Sequence, residues 1–134
     1  MRREIEVGIR AKLLADPTIS GLVSDRIWIK QAKNNATLPY IIIDLNSGGD
    51  NKTYGKEIVD LRYAILAISA QTGQSTDMSV AIRDALDEQD ATISGDWEIY
   101  RLQHLQFVHF IEMVEGKPYY YDGGVYRVRA SKES

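Results

Sequence analysis

The chain has 134 residues, no cysteine, 16 Lys and Arg against 19 Asp and Glu, and a formal charge of −3. That length predicts a single domain over residues 1–134, and 44% apolar residues supply its core without disulfide staples. The missing thiols exclude cysteine nucleophiles, iron–sulfur clusters and thiolate zinc sites, while a mean hydropathy of −0.28 without a long apolar run excludes a spanning helix and membrane partners.

Arg2 and Arg3 are followed by no apolar stretch, so no secretory signal is expected; the absence of cysteine fits synthesis in a reducing cytoplasm. Over residues 2–16, Ile5, Ile9 and Leu13 recur every fourth position, which predicts an amphipathic helix. Asp16-Pro17 ends it, because proline disfavours helical geometry in the residue before it. Residues 18–24 read as a turn and residues 26–29 as a short strand. After Leu38-Pro39, the run Tyr40-Ile41-Ile42-Ile43-Asp44-Leu45 is the strongest strand signal, since β-branched side chains pack well on a pleated surface. Residues 47–55, with Gly48, Gly49 and Gly55, read as a projecting loop leading into an alternating strand over 56–70. The two strands form a long antiparallel hairpin.

Ser75 or Thr76 is the expected cap of a second helix reaching residue 90, with Met78, Ala81, Ile82, Ala85 and Leu86 on its apolar face. A long strand follows over 97–114, apolar at odd and even positions alike, so both faces should be covered by helices or by another subunit. A bulge near residues 103–106 would switch its faces. Residues 115–118 and 119–124 read as two successive turns before a closing strand over 125–130. The predicted fold is α+β: a mostly antiparallel sheet, two main helices packed on one face, and a long hairpin loop.

No residue set predicts catalysis, a cofactor or a metal. His104 and His109 are an odd number apart on one strand, so without a bulge they point to opposite faces, and neither has an Asp or Ser partner at a recognisable spacing. The glycine loop lacks the pattern and the following helix that a phosphate-binding loop needs. Residues 77–98 hold seven acids against Arg83, a local balance of −6, with Asp77, Asp84, Asp87 and Glu88 as the candidate acidic face for a partner with basic patches. The acidic total disfavours direct nucleic-acid recognition; Arg127, Arg129 and Lys132 are expected to pair with acids on a neighbouring strand or subunit. Eight tyrosines stand against two phenylalanines, and one small core could hardly bury all four of Tyr119, Tyr120, Tyr121 and Tyr126 around one turn, so one or two are expected in the core and the others in a contact surface. The polar loop supplies a second set of candidate contacts: Asp50, Asn51, Lys52, Thr53, Tyr54 and Lys56.

The ordered segments carry a resemblance over nearly the whole chain. Leu13-Leu14-Ala15-Asp16 is followed by Asp25-Arg26-Ile27-Trp28, Leu38-Pro39-Tyr40-Ile41-Ile42, the helix through Val80-Ala81-Ile82-Arg83-Asp84-Ala85-Leu86-Asp87, and Asp122-Gly123-Gly124-Val125-Tyr126-Arg127. This set resembles the tail-completion, or tail-terminator, proteins of long-tailed bacteriophages and prophages. Family members often have a proline where this chain has Gln31-Ala32-Lys33. The resemblance implies a non-enzymatic virion subunit, without cofactor, forming a homo-oligomeric ring, a hexamer, at the head-proximal end of the tail tube. Its implied partners are the major tail tube protein and the head-completion or connector protein. The alternatives are a small dimeric ligand-binding or enzymatic domain and another head–tail connector component.

Overall fold

The computed structural model describes residues 2–32, 36–53, 56–88, 91–92 and 97–133. Helix α1 (Arg2–Leu14) is followed directly by a second helix, α2 (Pro17–Val23), where a turn was expected. Asp16 explains the difference. Its Oδ1 accepts the backbone N–H groups of Thr18 and Ile19 at 2.9 and 3.2 Å, so it caps α2 while Pro17 occupies the first helical turn, where its missing N–H costs nothing. The proline that closes one helix opens the next.

Strands β1 (Ile27–Ile29), β2 (Tyr40–Thr53), β3 (Lys56–Ser69), β4 (Ala91–Thr92), β5 (Trp97–Val114) and β6 (Lys117–Glu133) form one sheet in the order β1-β2-β3-β6-β5-β4. β1 and β2 are parallel, and every other pair is antiparallel. Helix α3 (Thr72–Leu86) connects the central strand β3 to the far edge. The chain is therefore α+β with a mostly antiparallel sheet, carrying three helices among the described residues where two main ones were expected.

Two sequence expectations of loops fail, and for one reason. Residues 47–53 are not a projecting loop but strand, paired with β3 from Ser47↔Arg62 to Thr53↔Lys56, and β6 flanks the other side of β3 as far as Lys56↔Glu133. Likewise Tyr119 to Gly124 belong to β6 rather than to a second turn. Glycine signals backbone crowding as well as turning. At Gly123 an added Cβ would run into the carbonyl of Ile65 and the backbone of Leu66, so only a residue without a side chain lets β3 and β6 approach there. The true turn is Glu115-Gly116, both at positive φ (51° and 80°), which suits a two-residue hairpin between Val114 and Lys117.

The core lies between the helices and one face of the sheet. Ile5, Ile9 and Leu13 of α1, Ile19 and Val23 of α2, and Met78, Ile82 and Leu86 of α3 join Val59, Leu61, Tyr63 and Ile65, the alternate positions of β3. Four-residue recurrence on helices and two-residue recurrence on strands thus meet in one cluster. Inside it, Tyr63 donates its hydroxyl proton to Glu6 Oε2 at 2.9 Å, giving a buried carboxylate on α1 a polar partner.

Candidate assembly surfaces

β5 is the strand on which the surfaces turn. It matches β6 along its full length with two register shifts, one skipping Tyr100 and one skipping Leu105. The second is the bulge that the sequence suggested. Because of it His104 and His109 share the helix-side face, opposite Tyr126 and Asp122 of β6, where an unbulged strand would have set them on opposite faces. They remain four β6 positions apart, and no cluster of three metal-ligating side chains occurs among the described residues.

His109 does have a carboxylate partner. Its Nδ1 lies 2.7 Å from Asp122 Oδ1, while the hydroxyls of Ser75 and Thr76 donate to Asp122 Oδ2 at 2.7 and 3.2 Å. The order of contacts differs from a charge-relay set: the serine bonds the carboxylate, not the imidazole, so the histidine is not placed to take the serine proton. The network ties the start of α3 to the β5–β6 hairpin. His104 is set differently, its ring stacked at 4.6 Å on Phe107 and edge-on to Tyr126 at 5.2 Å. Burial, with Arg83 nearby, pushes its pKa below the ordinary 6.5.

Beyond His104 the helix layer touches β5 only at its margin, through Arg83 over Phe107 and through the Ser75–Asp122–His109 contacts. Phe107, Ile111 and Met113 continue the helix-side face of β5 with 69%, 54% and 64% of their surface in water. Val80, exposed on α3, lies one turn before Arg83, whose guanidinium sits 5.3 Å from the Phe107 ring. On the opposite face of the hairpin Phe110 stacks on Tyr121 at 4.3 Å, and Tyr121 donates to Glu112 at 3.3 Å. Burial and Glu112 push the Tyr121 phenol up to about 12. β4 pairs only with Glu98 and Ile99, so among the described residues the outer edge of β5 from Tyr100 onward carries no strand. The sequence expectation that both faces of β5 are covered is therefore not met within this chain. An apolar face beside an open edge is a surface built for another protein.

Of the four tyrosines around the turn, Tyr126 is buried in the core, while Tyr119, Tyr120 and Tyr121 are half-buried along β6. Tyr40, Tyr119 and Tyr121 wall an open groove with Ile42, Glu112 and Val114 that holds neither histidine.

The predicted acidic face separates into two kinds of residue. Asp77, Asp84 and Glu88 are exposed. Asp87 is half-buried and committed to structure, accepting the His104 backbone N–H at 2.8 Å beside Arg83. Asp50, Asn51, Lys52, Thr53 and Lys56 lie in the paired ends of β2 and β3, and Tyr54 falls outside the described residues, as do Asp90 and Asp96.

A basic patch that the sequence showed only in part lies on the sheet face opposite the helices, where Arg127 pairs with an acid on a neighbouring strand as expected and Arg62 and Arg101 join it. Cross-strand register places Asp60, Arg129 and Arg101 in one row and Arg62, Arg127 and Gln103 in the next. Arg127 grips Asp60 through Nε at 3.0 Å and Nη2 at 2.6 Å, which holds the Asp60 carboxyl below its usual range. Arg129 reaches the same carboxylate only at 3.8 Å and keeps a buried Nε without a hydrogen-bond partner. The missed signal was arithmetic: a turn at residues 115–116 fixes the pairing of β5 with β6 as far as Gln106↔Val125, and each bulge then shifts it by one residue.

Beside one packed core, the apolar strand face left open among the described residues points to a subunit that makes contacts with other proteins. The chain belongs to the tail completion protein gp17 family, whose model matches residues 7–119, and it is a structural component of a bacteriophage-type tail and virion. A chain in the solved virion of a native gene transfer agent particle superposes with a TM-score of 0.76, covering 97% of this chain and 96% of that one. At 18% identity this likeness establishes the fold alone. No curated protein matches the chain. No helix among the described residues is long and apolar enough to cross a membrane.

Proposed function

We propose that this chain assembles as a homo-oligomeric ring, six copies around the axis, at the head-proximal end of the tail tube. There it stops polymerisation of the major tail tube protein and presents the docking surface for the head-completion or connector protein. The reading needs no cofactor, no catalysis and no direct recognition of nucleic acid, and it places the chain at the head–tail joint after synthesis in the bacterial cytoplasm. The observation that carries it is the uncovered helix-side face of β5, with Phe107, Ile111 and Met113 beside an edge that lacks a neighbouring strand. A soluble monomer that exposes such a face and edge invites uncontrolled association, so a matching surface elsewhere in the assembly is the physical complement. The end of the β2–β3 hairpin, from Asp50 to Lys56, meets an adjacent ring or neighbouring subunit in this reading. Membership of the tail completion family supports the assignment to the tail.

Electron microscopy of tails made without the protein tests the role. Tails of unregulated length that fail to join heads are expected; tails of normal length that join heads normally overturn it. Replacing Asn51-Lys52-Thr53 with glycine and serine is expected to preserve the melting temperature and impair assembly.

A further inference from the structure

We infer that the arginine patch on the open sheet face docks onto the acidic flank of α3 in a second copy of this chain. The inference rests on the ring reading above and supplies one of its contacts. Arg62 faces Arg127 directly across β3 and β6, and Arg101 faces Arg129 across β5 and β6. Like charges directly opposite on neighbouring strands destabilise a sheet. Asp60 is bound to Arg127, and the other acids that register places near the arginines on this face are Asp44, opposite Ala64, and Glu98, opposite Ser131, so four guanidinium groups face three carboxylates. Arg62 and Arg101 make no ion pair with a described side chain, and Arg129 has a buried Nε without a hydrogen bond. The patch is an anion-binding surface without enough anions.

The complementary surface is on the same chain, across the sheet. Asp77 and Asp84 stand seven residues apart, two helical turns, on one flank of α3, and Glu88 follows just beyond the helix end. All three are exposed, and the one base of α3, Arg83, is held elsewhere, over Phe107 and near Asp87, while Lys12 of α1 lines the same hollow as Asp84. Because helices cover one face of the sheet and the arginines line the other, a single copy cannot join its own two patches. Two copies can, head to tail, and a head-to-tail contact is the kind that closes into rings.

A charge-swap experiment tests this by sedimentation of the full chain at low salt, where Coulombic attraction reaches furthest. The variant Arg62→Glu with Arg101→Glu, and separately Asp77→Lys with Asp84→Lys and Glu88→Lys, should each weaken self-association by about tenfold or more while melting like the parent chain. Mixing the two variants, or combining all five changes in one chain, restores association, because each contact then again pairs opposite charges. Parent association should also weaken as salt rises. A parent chain that stays monomeric at low salt, variants that associate as the parent does, or a mixture that fails to recover overturns the contact. Retention of duplex DNA by the parent but not the arginine variant, without self-association, assigns the patch to a polyanion and also overturns it. Tails of normal length made with the arginine variant would sink this contact and leave the tail-end role standing.

Discussion

Replacing Phe107 with serine separates assembly from folding, because this side chain contributes little to the monomer and much to any partner that covers it. Phe107 leaves 69% of its surface in water. For an aromatic side chain of roughly 200 Å² that is on the order of 140 Å², or about 3.5 kcal/mol of gross apolar stabilisation if fully covered at ~25 cal/mol per Å². Ordering and desolvation on association consume part of it, so a loss of about 2 kcal/mol, roughly 30-fold in affinity, is the expected effect of truncation at a contact centre. Inside the monomer the ring meets only the His104 ring at 4.6 Å and the Arg83 guanidinium at 5.3 Å among its aromatic and cationic neighbours. Contacts of that kind are worth about 1 kcal/mol or less at an exposed site. The assay is titration of purified protein into tails made without it, counting completed tails by microscopy, alongside a thermal melt. Phe107→Ser should raise the half-completion concentration about 30-fold and shift the melt by no more than about 4 °C. An unchanged half-completion concentration with a normal melt refutes the argument that this face is covered in the assembly.

Gly123→Ala should do the reverse, damaging the monomer itself. Its Cβ would press on the Ile65 carbonyl and lie 2.9 Å from Leu66 Cα, rigid backbone that cannot rotate aside, so the central strands must separate at a cost of about 3 kcal/mol, or roughly 10 °C in melting temperature. Gly49→Ala, with nothing within 4 Å of the new carbon, is the control and should melt near the parent chain. Acid should destabilise the fold in two stages. His104 is held below 6.5, so as pH falls through that value the unfolded chain binds a proton that the folded chain resists, and stability drops; a His104→Gln variant should lose this stage. Asp60 is held below 3.8 by Arg127, so its contribution persists above that pH and disappears as pH falls through the lower folded value. Urea midpoints measured from pH 8 to pH 3 check both, and a midpoint flat between pH 7 and pH 5 would contradict the first.

The elements that sequence made legible are those whose signal is periodic. Ile5, Ile9 and Leu13, or Val59, Leu61, Tyr63 and Ile65, repeat at intervals that only one backbone geometry turns into a buried stripe. The misread places are those where one residue type serves two physical ends. Pro17 stops a helix and starts another, and Gly48, Gly49, Gly123 and Gly124 lie within strands although glycine is the commonest mark of a turn. Asp122 shows the consequence. Once Tyr119 to Gly124 are read as a turn, the pairing of His109 with Asp122 vanishes, and with it the contact linking α3 to the hairpin. Asp87 was legible as an acid but not as the acceptor for the His104 backbone, because that contact depends on where α3 ends against β5.

The two bulges in β5 tie the core and both candidate surfaces together. A one-residue slip sends every later side chain to the other face of a sheet. Unbroken alternation from Trp97 and Ile99, both buried on the helix side, would turn Arg101 into the core and Leu102 out to water. The register shift at Tyr100 reverses that: Leu102 becomes buried, and Arg101 joins Arg129 on the open face. The shift at Leu105 restores the original parity, so that Phe107, His109, Ile111 and Met113 fall on the helix side, where α3 no longer covers the strand. Removing the first bulge would bury a guanidinium, and removing the second would carry His109 away from Asp122 and the apolar stripe to the opposite face. The basic patch and the apolar face are thus set by the same backbone irregularities that let the core close, which couples the fold of one subunit to the surfaces it offers its neighbours.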